Sequence, residues 1–142
     1  MTQFSLTDDL YTGSSLIDGD HRKLVELVNA FFESMQSGHD DRRTAQAMSA
    51  LIAYTGEHFV HEEAEMQRIH YVALLAHKSE HSKLLRQLID LKEMLEAGGR
   101  MNAPAVADFL SRWLRDHILA ADMKLAANLK QQHRAAPIVQ LH

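Results

Sequence analysis

The chain has 142 residues, a formal net charge of -4 at pH 7 and no cysteine. This length favours one compact domain, residues 1–142, with a single hydrophobic core. Acidic and basic residues are interspersed and form neither a basic stripe nor an acidic tail, so we expect no nucleic-acid partner. The lack of cysteine excludes disulfides and thiolate-held metals, so a metal ion could bind only through nitrogen and oxygen atoms.

The N-terminal segment shows neither a targeting pattern nor a helical one. It lacks a basic stretch followed by an apolar one, and no part of the sequence is a continuous apolar run of membrane-spanning length. Residues 1–17 have no sustained period and are predicted to form an extended N-terminal arm. We therefore expect a cytoplasmic protein without a membrane partner.

Four later segments place apolar side chains at the three- and four-residue steps of amphipathic helices. Asp18 and Asp20 are plausible N-caps of the first helix, and Pro104 suits the first turn of the last. The predicted helices span about residues 18–37, 41–69, 72–97 and 103–132. Their short connections predict an all-α fold, an antiparallel up-down-up-down four-helix bundle at residues 18–132. Residues 133–142 are predicted to be a loose tail.

Ionisable side chains lie on the apolar stripes of all four predicted helices. Without partners, such groups would each cost several kcal/mol of desolvation in the core, and coordination to a metal ion would remove that cost. The alternative is a buried network of histidine–carboxylate hydrogen bonds without metal. We predict a metal site whose ligands are His21, His58, Glu62, His77, His81, His117 and Asp122.

Helical phase and spacing qualify several of these candidates. A second His-x-x-x-Glu pair, His61 and Glu65, falls on the polar face of the second helix and is predicted to face solvent. His117 and Asp122 are five residues apart, about 140° around an ideal helix, which is poor for one shared ion. A carboxylate that reaches across two ions, or a local π-type bulge, would reconcile this spacing. The histidines near turns and termini are predicted to be ordinary exposed residues: His39, His70, His133 and His142.

The number of donors indicates two metal ions. One tetrahedral zinc takes about four donors, whereas two six-coordinate ions take about twelve. The predicted imidazoles, two bridging carboxylates and a bridging oxo or hydroxo group would leave one position open for a small ligand. A site this rich in histidine favours reversible redox between diferrous and diferric iron, although imidazole also suits zinc, copper and nickel.

The combined pattern resembles that of the bacteriohemerythrins, single-domain members of the hemerythrin family. The resemblance runs from about residue 6 to residue 130 and rests on four motifs: Leu16–His21, His58–Met66, His77–His81 and Trp113–Asp122. It implies a non-haem di-iron protein that binds dioxygen reversibly, for oxygen storage, delivery or buffering, and is not an enzyme. Dioxygen and small anions such as azide would be its ligands.

The resemblance also implies that the two irons are held unequally. One takes the histidines of the third and fourth helices and is saturated, while the other takes those of the first and second helices and keeps the open position. The two carboxylates would bridge the irons. Phe59, Trp113 and Leu114 would wall the ligand pocket and exclude water from it.

The chain departs from the family pattern at three positions. It has Leu6 where the family usually has a tryptophan, Val72 where the family has the proline of a Gly-Tyr-Pro, and Leu125 where the family has a tyrosine. None of these changes removes a ligand, but they bear on the tightness of the pocket and the rate of autoxidation. The alternative functions are an oxygen or redox sensor and a di-iron enzyme acting on peroxide or nitric oxide.

Overall fold

The computed structural model describes residue 4 and residues 11–36, 41–97, 103–128 and 131, and of residues 41, 103 and 117 only the backbone. Its helices are α1 (Ser15–Gln36), α2 (Asp41–Arg68), α3 (Leu74–Glu96) and α4, which begins with Ala103–Arg112, passes through a π-helical segment, Trp113–Leu119, and continues to residue 128. No strand occurs within these described ranges. α1 packs against α2 and α4, and α2 packs against α3. The predicted all-α, antiparallel four-helix bundle is confirmed.

α1 begins earlier than the sequence pattern predicts. The Ser14 hydroxyl accepts a hydrogen bond from the N–H of Ile17 at 3.4 Å, which is the geometry of an N-cap. Asp18 lies inside the helix, where its carboxylate accepts hydrogen bonds from the N–H and the hydroxyl of Thr12, both at 2.8 Å. The predicted N-caps Asp18 and Asp20 are therefore wrong, and α1 includes the last three residues of the predicted arm.

The arm is described at Phe4, where it is fixed to α1. The Phe4 N–H donates to Asn29 Oδ1 at 2.7 Å, and the Asn29 amide donates back to the Phe4 carbonyl at 2.9 Å. The Phe4 ring is buried in the larger apolar cluster of the bundle. The rest of the predicted arm before residue 11, with Leu6, and the predicted tail after residue 132 lie outside the described residues.

Two apolar clusters fill the bundle and leave a polar layer between them. The larger combines side chains of all four helices, for example Leu24, Leu51, Leu88 and Leu110. The smaller combines side chains near the start of α1, the end of α2 and the end of α4: Ile17, Met66, Ile69 and Leu125. Along their helices, the predicted ligands His21, Glu62 and Asp122 lie between residues of the two clusters, and all three side chains are buried.

The connection between α2 and α3 turns at His70, which has a positive φ of 52°. The next residue, Tyr71, donates its N–H to the Met66 carbonyl at 2.8 Å, and α3 then begins at Leu74, two residues later than predicted. Val72 is fully exposed in this turn. None of the described helices is both long enough and apolar enough to cross a membrane.

Candidate metal centre

Four predicted ligands from three helices meet in the polar layer: His21, His58, Glu62 and Asp122. One ligand atom from each lies within 4.8 Å of the corresponding atoms of the others. Asp122 Oδ2 is 2.6 Å from His21 Nε2 and 3.0 Å from His58 Nε2, and His58 Nε2 is also 2.5 Å from Glu62 Oε2. All four side chains are buried, so their polar atoms must be satisfied by one another or by a bound ion.

Helical phase explains why these side chains converge. His58 and Glu62 are four residues apart on α2 and continue the buried stripe formed by Leu51, Thr55 and Met66. Three positions after His58 and one before Glu62, off this stripe, the side chain of His61 is 44% exposed. The prediction that His61 faces solvent is confirmed by this exposure.

His81 of α3 extends the cluster. Its Nε2 is 3.4 Å from Glu62 Oε1, its Nδ1 hydrogen-bonds Glu63 Oε2 at 2.8 Å, and its ring stacks on Phe59 with centroids 3.9 Å apart. His77, one turn earlier, is half-buried, and its ring lies 6.1 Å from that of His81 and 5.4 Å from that of Tyr71. Burial and the neighbouring His81 lower the pKa of His77, which keeps its nitrogen lone pair available to a metal ion.

The side chain of the predicted ligand His117 lies outside the described residues, but its backbone is in the π-helical segment of α4. There the N–H of Ala120 donates to the carbonyl of Arg115, five residues earlier. Of the two features that would reconcile the spacing of His117 and Asp122, the structure shows the π-type one. Because a π turn is wider than an α turn, it brings residues five apart closer in phase, which suits His117 and Asp122.

The polar layer holds more carboxylate oxygens and imidazole nitrogens than its N–H protons can satisfy by hydrogen bonds. Neither oxygen of Glu62 receives a hydrogen bond within the described part of the chain, and the single Nε2 of His58 faces oxygens of two carboxylates. Burial and the nearby Asp122 raise the pKa of Glu62. Burial opposes ionisation of Asp122, but its contacts with Glu62, His21 and His58 hold its pKa well below its usual range. A cation among these atoms would satisfy both carboxylates, so the residues fit a metal ion.

Asp20 was missed as a functional residue by the sequence prediction. Its buried carboxylate accepts hydrogen bonds from His58 Nδ1 at 2.9 Å, the Tyr54 hydroxyl at 2.8 Å and His61 Nδ1 at 3.1 Å. Burial opposes its ionisation, but these hydrogen bonds outweigh burial and lower the pKa of Asp20 to about 2. The carboxylate keeps a proton on His58 Nδ1 and so directs Nε2 toward the metal centre.

A signal for Asp20 was present in the sequence. It is three residues after Ile17 and four before Leu24, so it shares the buried stripe of α1 with His21. Glu63 orients His81 in the same way. Its sequence signal is weaker, because a partly buried carboxylate does not stand out on the apolar stripe of a helix.

The three predicted pocket residues are all buried. Phe59 stacks on His81, the indole N–H of Trp113 donates to the carbonyl of Leu84 at 3.2 Å, and Leu114 has no exposed surface. The side chains are thus held in place, and which part of the metal centre they face stays a prediction.

A four-helix bundle that holds imidazoles and carboxylates in a polar layer of its core belongs to the class of metal-binding helical bundles. Residues 12–135 match the family described as "Hemerythrin HHE cation binding domain", and the chain belongs to this family.

Relatives and solved structures agree with this assignment. The chain is 33% identical over 111 residues to a bacteriohemerythrin of Pseudomonas paraeruginosa, covering 78% of this chain and 71% of the relative. It is 32% identical over 111 residues to a bacteriohemerythrin of Methylococcus capsulatus, covering 78% and 84% of the two chains. A crystal structure of wild-type hemerythrin superposes with a TM-score of 0.79 at 28% identity, covering 89% of this chain and 97% of that one. Family and residues together support a hemerythrin-type iron site.

Proposed function

We propose that the chain binds dioxygen reversibly at a pair of iron ions and acts in oxygen storage, delivery or buffering rather than as an enzyme. The observation that carries this proposal is the buried cluster of imidazoles and carboxylates, in which hydrogen bonds leave some of the possible metal-ligand atoms without a partner. The resemblance to proteins named bacteriohemerythrin supports the choice of dioxygen as ligand.

The contacts support unequal positions for the two irons. Glu62 directs Oε2 toward His58 and Oε1 toward His81, which is the arrangement expected of a bridging carboxylate. Asp122 contacts both His21 and His58, and His58 is the histidine that faces Oε2 of Glu62. We therefore assign one iron to the histidines of α1 and α2, with the open position, and the other to the histidines of α3 and α4, including His117. When bound, the iron pair would supply reversible redox chemistry toward a small ligand.

The protein itself orients the ligands and keeps water away. Asp20 and Glu63 fix the ring orientation of one histidine on each side of the centre. The two apolar clusters and the buried pocket residues flank the layer with groups that offer water no hydrogen bonds. Such surroundings favour binding and release of an apolar gas over hydrolytic or proton-transfer chemistry.

An oxygenation cycle tests the proposal. Reduced, iron-loaded protein should gain a visible absorption band when dioxygen is admitted, lose it under vacuum, and regain it over repeated cycles. Oxidation to the diferric form at the first exposure would contradict reversible binding. Steady turnover of peroxide or nitric oxide would show an enzyme instead.

Leu114→Ala should shorten the lifetime of the oxygenated form. Leu114 is fully buried, so its truncation would leave a cavity costing roughly 2–5 kcal/mol of unfolding free energy and would let water approach the centre. Leu110→Ala, one turn earlier and equally buried, is the control for loss of stability alone. Autoxidation followed by absorption should accelerate in Leu114→Ala only. Equal rates in the two variants would show that Leu114 does not wall the pocket.

A further inference from the structure

A cleft of about 320 Å³ opens beside the metal centre between α3 and α4. Ala76 and Lys124 line it and are exposed, so they lie at its mouth. His81 and Asp122 line it and are buried, so they lie at its inner end. The cleft therefore connects solvent with the polar layer of the bundle.

The side chains of the predicted ligands become progressively less exposed from the mouth of this cleft toward the core of the bundle. His77 is half-buried, the side chain of His81 is 7% exposed, and that of Glu62 is 1% exposed. His58 and His21, beyond Glu62, have no exposed side-chain surface. Within this series, His81 Nε2 is 3.4 Å from Glu62 Oε1, and Glu62 Oε2 is 2.5 Å from His58 Nε2.

A metal ion and dioxygen differ in the free-energy cost of moving from water to such a buried site. A hydrated divalent cation cannot cross an apolar core, because stripping its water without replacing it is far too costly. It needs a route on which protein donors replace water one at a time. Dioxygen is small and apolar, so it does not need a polar route.

We propose that metal ions enter and leave the centre through this cleft, with His77 as the first protein ligand. Ions destined for the position of His21 and His58 would pass the outer position held by His77 and His81. The outer position would then be filled last and emptied first. This inference rests on the iron site of the proposed function but not on dioxygen binding.

The charge at the mouth gives the route a testable electrostatic feature. Lys124 and Glu80 both line the cleft and act on His77 with opposite signs, and Lys124 is the group that repels an incoming cation. A cation at the mouth opposes the approach of another cation, and this opposition weakens as salt screens it.

The rates of anaerobic ferrous-ion uptake by metal-free protein and of iron loss to a chelator test this route. Ala76→Phe should slow both several-fold by narrowing the mouth, while leaving the final iron content unchanged. Ala53→Phe makes the same change at an exposed position of α2 that does not line the cleft, and should match wild type. Lys124→Gln should accelerate uptake, most at low salt, whereas Lys92→Gln, 11 residues beyond His81 on α3, should not.

The outcomes separate this inference from the iron site itself. Equal rates in Ala76→Phe and Ala53→Phe would overturn the cleft as the route. If Ala76→Phe does not fold, an uptake rate of Lys124→Gln equal to that of Lys92→Gln at low salt would overturn it. Folded wild-type protein that takes up no iron would refute the iron site and, with it, this route.

Discussion

Glu62→Gln is expected to lose iron and yet leave the metal-free protein more stable than wild type. In the metal-free chain, burial opposes a charge on His58, but the carboxylates of Asp122, Asp20 and Glu62 beside its ring outweigh burial and raise the pKa of His58 to about 12, so His58 is an imidazolium. Asp20 and Asp122 already more than balance this charge. Glu62 is thus a surplus buried carboxylate, because the one Nε2 proton of His58 that its Oε2 faces is also faced by Asp122 Oδ2. Removing its charge should gain on the order of 1–3 kcal/mol.

The pH dependence of this gain follows from the raised pKa of Glu62. Below its usual value of 4.5, the carboxyl group is protonated in both the folded and unfolded states and contributes nothing. As the pH rises above 4.5, the unfolded state ionises more readily than the folded state, so metal-free wild type loses stability relative to the variant. Thermal unfolding of metal-free protein at several pH values measures this difference.

Glu65→Gln is the control for Glu62→Gln, because Glu65 lies one turn later on α2 and pairs with Arg68 at the surface. It should keep its iron and its stability. If metal-free Glu62→Gln is less stable than wild type, then Glu62 is a structural partner of the histidines and not a carboxylate reserved for metal.

Asp20→Asn is expected to lower iron affinity by roughly 10–100-fold, the usual cost of removing a carboxylate that orients a ligand histidine. The amide retains the shape of the side chain but not the charge that strengthens the hydrogen bond from His58 Nδ1. The variant should also lose some folding stability, because the lowered pKa of Asp20 means that its charged form stabilises the fold. The diagnostic defect is the loss of iron affinity in protein that is still folded. Competition with a chelator of known affinity measures it.

Asp18→Asn provides a matched control two residues away. Asp18 is also a buried aspartate on α1 with several hydrogen bonds, but they come from Thr12 and Gly13 in the preceding turn. The variant should lower the free energy of unfolding without changing iron affinity. Equal loss of iron in Asp18→Asn and Asp20→Asn would mean that the start of α1, and not the contact with His58, controls metal binding.

The sequence predicts the bundle well because each helix carries a long amphipathic stripe. The same stripes placed His21, His58, Glu62 and Asp122 on the core side, and the structure brings these four together. The five-residue spacing of His117 and Asp122 does not suit an ideal α-helix, and it indicated a local π-type bulge as one of two explanations. The structure has a π-helical segment there.

The misses have a common physical cause. Asp18 and Asp20 were interpreted as N-caps, because an aspartate near a helix start is usually explained by local hydrogen bonds. Their partners are instead set by tertiary structure: Asp20 reaches His58, 38 residues away in sequence, and Asp18 holds the turn before the helix. The cleft between α3 and α4 likewise depends on how the helices pack, which periodicity does not specify.

The most direct test of the metal centre is the iron content of folded wild-type protein after anaerobic loading and removal of excess iron. Native mass spectrometry gives this number for each intact chain. The donor set predicts about two irons per chain. A folded chain that holds only one iron, or none, would contradict the account.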